Sequence, residues 1–151
     1  MFGYVLQDWI TVRGNVPASG SADIIQGEST WMGFSSFQDV VIWLDVREIT
    51  FPAGGSTVSW YFETSPSKDN NLFTPMPTPA SVISLNNTYT PGVQTLSKVI
   101  LANAATTAPL ATWVRWRLTC NGTSGNTWDA TFRVLVAANR VVRESRFSPF
   151  G

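Results

Sequence analysis

The chain contains no histidine. That absence removes nucleophile–histidine triads, histidine-bound metals and imidazole acid–base catalysis. It has a single cysteine, Cys120, so no internal disulfide can form. On the apolar register of its strand this thiol reads as a small buried hydrophobe, not a nucleophile. Charge is also scarce: Asp, Glu, Lys and Arg make up 13% of the residues, against about a quarter in an ordinary soluble domain. No apolar run reaches the roughly 18 residues of a membrane-spanning helix. Met1 to Val12 contains Asp8 and has no basic start, so neither a membrane span nor a secretory signal is expected and the chain is taken to act as written. The sequons Asn86-Asn87-Thr88 and Asn121-Gly122-Thr123 then read as ordinary turn sequence. A formal net charge of zero gives no general attraction to nucleic acid or to an anionic membrane.

The charge is unevenly spread. Residues 1–97 carry three basic and eight acidic groups and residues 98–151 carry seven and two, a weak pointer to head-to-tail contact between copies. At 151 residues the chain is long enough for one domain to bury roughly 70% of its unfolded surface without a covalent staple.

Period-2 alternation dominates the chain. Phe2 to Val12 has the aromatic and β-branched residues of a first strand, and Phe2, Tyr4 and Trp9 would be unusual on a free tail. Arg13 to Ser21 reads as a loop, and Ala22–Gln26 and Trp31–Phe34 as short strands. In Asp39–Ile49, Val40, Ile42, Leu44 and Val46 share one face. Through the loop Phe51–Ser56 this strand is expected to form a hairpin with Thr57–Glu63, where Val58, Trp60 and Phe62 point together. Thr64 to Pro91 holds five prolines and reads as a long ordered loop pinned by Leu72, Phe73, Met76 and a short edge strand at Val82–Leu85. Thr95–Leu101 is another strand.

The richest stretch is Thr112–Val136. Val114, Trp116, Leu118 and Cys120 fall on one face of its first half, and Trp128, Ala130, Phe132, Val134 and Val136 on one face of its second. The Gly- and Asn-rich segment 121–126 between them predicts a hairpin. In that arrangement Trp113, Arg115, Arg117 and Arg133 form one outward stripe. Seven or eight short strands without a helix predict an all-β, antiparallel two-sheet sandwich, jelly-roll or immunoglobulin-like, with a barrel as the alternative. The domain is expected over residues 13–137, with an N-terminal strand or arm at 1–12 and a C-terminal arm at 138–151. In that arm Arg140, Arg143 and Arg146 recur every third residue. Leaving Phe147 and Phe150 in water forgoes about 1.5–3 kcal/mol each, which favours an arm that lies on a neighbouring subunit.

The residues supply no catalytic set. Asp45, Glu48, Glu63 and Asp129 could pair as glycosidase carboxylates, but cross-strand ion pairs with Arg47, Arg115, Arg117 or Arg133 account for them more simply. Asp69, Asn70 and Asn71 do not supply the six to eight oxygens that calcium takes. No cofactor and no metal is expected. Trp43 and Trp113, on the outward registers beside Asp45 and Arg115, are candidates for a sugar platform or a subunit interface.

The segments STVSWYFETSPSKDN (Ser56–Asn70), LATWVRWRLT (Leu110–Thr119) and WDATFRVLV (Trp128–Val136) together resemble the small β-sandwich virion proteins of tailed bacteriophages. In those, a strand ending in a Glu-Thr-Ser-Pro turn is followed by a loop and an arginine-bearing hairpin; here Ser67-Lys68 stand before Asp69, where an aspartate commonly follows the Ser-Pro. The resemblance spans about residues 39–137. It implies a capsid decoration or cement protein located in the virion. Its expected partners are copies of itself, with a trimer as one option, and the major capsid or other virion proteins. The alternative is a carbohydrate-binding module of a fibre or tail. The interface residues expected on this reading are Phe2, Tyr4, Trp43, Trp113, Arg115, Arg117, Arg133, Arg140, Arg143, Arg146, Phe147 and Phe150.

Overall fold

In a computed structural model, which describes residues 2–18, 20–52, 57–76, 82–99 and 110–140, the alternating segments become ten strands. They are β1 (Phe2–Asn15), β2 (Ser21–Ile25), β3 (Met32–Gly33), β4 (Phe37–Thr50), β5 (Thr57–Ser65), β6 (Thr74–Pro75), β7 (Val82–Asn86), β8 (Val93–Val99), β9 (Trp113–Asn121) and β10 (Thr127–Arg140). Two short 3₁₀ turns, Glu28–Thr30 and Asn70–Leu72, interrupt them. Sheet A has the order β1-β10-β4-β8; sheet B runs β2-β9-β5-β6, with β7 also on β5 and β3 on β9. All pairings are antiparallel. With β3 and β6 set aside as short additions, the eight main strands form the jelly roll of the two sandwich types expected.

Neither predicted hairpin forms. β9 and β10 lie in different sheets, and so do β4 and β5. The 121–126 turn has the right residues for a hairpin, including Gly125 at φ 82°, but its backbone groups bond elsewhere. Gly125 N donates to Val16 O at 2.8 Å, Asn126 O accepts from Val16 N at 2.9 Å, and Gly122 N donates to Gly20 O at 3.1 Å. The turn is therefore tied to the β1–β2 connection and arches from one sheet to the other. The apolar faces of β9 and β10 mirror each other because they face across the core: Trp116 meets Phe132 edge-on at 5.2 Å, and Trp60 meets the same ring at 5.3 Å. Such pairs add about 0.5–1.5 kcal/mol beyond their burial. Around them pack Ile42, Leu44, Val46, Val134 and Val136 from sheet A and Val58, Phe62, Leu118 and Cys120 from sheet B, all buried.

Gln26, 2% exposed, seals one side of the sandwich. Its Nε2 donates to Leu6 O at 3.0 Å and Thr30 O at 2.9 Å, and its Oε1 accepts from Trp116 N at 3.0 Å. β1 is thus bound on two sides, by the Gln26 side chain and by its ladder to β10 along Phe2–Asn15. The N-terminal segment, expected as a strand or an arm, is an integral strand of its own sandwich, because β10 offers it a full-length partner. Residues 138–140 of the expected C-terminal arm belong to the sandwich: Ala138, Asn139 and Arg140 complete β10 opposite Val40, Asp39 and Phe37. The remainder, with Arg143, Arg146, Phe147 and Phe150, lies outside the described residues.

Candidate interaction surfaces

Because β9 and β10 part company, the predicted stripe is divided between opposite faces of the sandwich. Trp113, Arg115 and Arg117 point outward from sheet B, while Arg133 points outward from sheet A. Trp43 and Trp113 are likewise on opposite faces, both half-buried, so no single sugar can stack on the two. Of the four candidate carboxylates, Glu63 belongs to sheet B, while Asp45, Glu48 and Asp129 belong to the adjacent strands β4 and β10 of sheet A. Among the described residues no group of three His, Cys, Asp or Glu could hold a metal ion.

On sheet B, register places Glu63 opposite Arg115 and Tyr61 opposite Arg117. The expected cross-strand ion pairs form here, but they are not on an open surface. Arg115 is 4% exposed, which corrects its assignment to an outward stripe. The segment from Pro66 to Phe73 and the Trp31 ring cover it. Its Nε and Nη2 each lie 2.8 Å from Glu63 Oε2. Its Nη1 donates to Asn70 Oδ1. The guanidinium sits 3.9 Å from the Phe73 ring centroid and 5.3 Å from that of Trp31. Phe73 and Trp31 themselves meet at 4.6 Å. Arg117 takes the other oxygen of Glu63 at 2.7 Å, reaches Asp23 at 3.5 Å and lies over Tyr61. Burial alone would lower the Arg117 pKa, but the hydrogen bond and charge of Glu63, together with Asp23 and Tyr61, raise it above the ordinary guanidinium value. Both arginines are thus held inside their own subunit, and Trp113 is capped by the Lys68 ammonium at 4.6 Å.

The outer face of sheet A is different. Val5 is opposite Leu135, Leu135 opposite Trp43, and Gly3 and Val41 opposite Ala137. Gly3, Val5, Trp43, Leu135 and Ala137, with Tyr4 and Val136, line an open apolar groove of about 370 Å³. Val5 is 53% and Trp9 41% exposed. At one end Arg133 bonds Asp45 at 2.8 Å and lies 4.9 Å from the Trp9 ring centroid; at the other, Asp39 accepts from the backbone N and Nδ2 of Asn139. Of the residues singled out from sequence, Trp43 and Arg133 fall on this face, and Arg140, exposed, ends β10 beside it. Tyr4 borders the groove but packs inward on Phe37 at 5.7 Å; Phe2 is placed only by its backbone pairing with Ala138. Sequence reasoning missed Val5, Trp9, Leu135 and Ala137. The readable signal was Leu135 and Ala137, apolar residues on a register otherwise occupied by Thr127, Asp129, Thr131 and Arg133.

No protein-family model matches the sequence, and no curated protein matches it. Solved structures do. The crystal structure of the infectious bursal disease virus VP2 subviral particle superposes with a TM-score of 0.56 at 11% identity, over 92% of this chain and 32% of that one. A structure of the Gx strain of the same virus gives 0.51 at 10% identity, over 94% and 33%. The chain therefore spans about a third of the length of these proteins. At such identity the likeness is one of fold, and it agrees with the jelly-roll strand order.

Proposed function

We propose that this chain is a structural virion protein, a capsid decoration or cement subunit that stabilises a shell by contacts between subunits and performs no catalysis. The observation that carries the reading is the apolar outer face of sheet A, where Val5, Trp9, Trp43 and Leu135 stand in contact with solvent. Contiguous apolar surface of this kind marks association surfaces. The fold it shares with a protein solved as a subviral particle supports the same reading. So does the closure of sheet B, whose titratable side chains are committed to one another. Its partners are further copies of itself and the major capsid protein or other virion proteins. Analytical ultracentrifugation of the purified chain tests the self-association part: we expect a mass that rises with concentration to a closed oligomer. A monomer at every concentration that also fails to bind the parent particle would refute the proposal.

A glycan-binding role retains one specific observation, the exposed Trp9 ring beside Arg133 and Asp45. Binding on a glycan array that disappears with Trp9→Ala would favour it over assembly.

A further inference from the structure

The groove on sheet A has an occupant supplied by the chain itself. We infer that the segment 141–151 of a neighbouring copy lies in the groove formed by Val5, Trp43, Leu135 and Ala137, an inference that rests on the assembly reading above and names its contact. Three observations point there.

The first is position and reach. β10 ends at Arg140, and eleven residues follow it, enough to extend roughly 36 Å. That is about twice the 17 Å or so from Arg140 back to Leu135 along the strand.

The second is chemistry. The segment, VVRESRFSPFG, presents Val141, Val142, Phe147 and Phe150 with Arg143 and Arg146 between them. The groove offers apolar walls between two carboxylates on one strand, Asp39 and Asp45, which flank Trp43 on the outward register of β4 and are already bonded to Asn139 and Arg133. Phe147 or Phe150 fits the apolar floor, and Arg143 and Arg146, both N-terminal to them, approach the acid at one end. Extended segments commonly bind in this way, alternate side chains entering pockets on a sheet.

The third decides between the chain's own groove and a neighbour's. To return to its own groove the segment must reverse immediately after β10. Residues 141–144, where that reversal would have to begin, contain no Gly, Pro, Asn, Asp or Ser, the residues that make tight reversals. A straight continuation delivers the segment to a second copy.

Cross-linking in the full-length chain tests this. One preparation carries Leu135→Cys and another Phe147→Cys; the two are mixed under mild oxidation. Cys120 is buried and does not compete. We expect a disulfide-linked dimer of the two variants at least ten-fold more abundant than in a control mixing Leu135→Cys with Asn87→Cys, whose thiol would sit on the exposed turn after β7. Yield equal to the control overturns the inference. So does a Leu135→Cys, Phe147→Cys double variant that closes within one chain and gives no dimer. The unmodified protein's mass separates the two proposals: association without the specific cross-link removes this contact and leaves assembly standing, whereas a persistent monomer without the cross-link removes both.

Discussion

On the outer face of sheet B a charged side chain is more deeply buried than any described on sheet A, while on the outer face of sheet A large apolar side chains are left in water. Arg115 and Glu63, each 5% exposed at the side chain, form a pair beneath Phe73 and Trp31; across the sandwich Val5 is 53% exposed. The difference separates structure from association. Sheet B covers its buried ion pair with its own loop, and the large apolar side chains left in water on its side are Ile25, 42% exposed, and Leu72, 47% exposed. Sheet A keeps an apolar surface that its own described residues do not cover. Arginine and tryptophan occur on both faces, so residue type alone does not tell the two apart; what covers them does.

The contrast can be broken from either side. The largest effect is expected from Glu63→Ala, which leaves Arg115 buried without its counter-charge. Removing one member of a buried pair costs about 3–5 kcal/mol, readable as a lower urea midpoint, with assembly changed only through lost folding. Phe73→Ala should follow at about 1–3 kcal/mol, since it removes both a half-buried ring and a cation–π contact. A variant as stable as the parent would show that the 66–73 segment is an incidental cover.

A smaller effect comes from the core. Burial raises the Cys120 thiol pKa from 9.0 to about 11. Between those values the unfolded chain loses the thiol proton while the folded chain keeps it, so this group's contribution is complete below pH 9 and is lost as pH rises towards 11. Cys120→Ala should flatten that part of the stability–pH curve relative to the parent, and alkylation of the native thiol near neutral pH should be slow. The smallest effect on folding is predicted for Val5→Thr, within about 0.5 kcal/mol as for ordinary surface changes, yet it should weaken association measurably. A Val5→Thr protein that associates normally would take Val5 out of the contact surface.

The sequence was legible at the level of single strands. Ile42, Leu44 and Val46, or Val114, Trp116 and Leu118, announce their buried faces because alternation is a local property of the backbone. Partnership was not legible. Asn121 to Asn126 reads equally well as a hairpin turn or as an arch between sheets, since both need Gly125 to adopt a positive φ; the choice was made by Val16 and Gly20, more than a hundred residues away. Arg115 was misread for the same kind of reason: its outward register is local, but its burial depends on Asn70, Phe73 and Trp31. Leu135, by contrast, carried a usable local signal, an apolar side chain where its strand is otherwise polar.

The central claim is that association uses the outer face of sheet A and not that of sheet B. It is tested most directly by placing the same charge on each face in turn, Leu135→Arg on sheet A and Ser84→Arg on sheet B, and measuring sedimentation equilibrium across a hundred-fold range of concentration. The prediction is that Leu135→Arg shifts the dissociation midpoint upward by at least ten-fold while Ser84→Arg leaves it within two-fold of the parent. A shift confined to Ser84→Arg, or equal for the two, would contradict it.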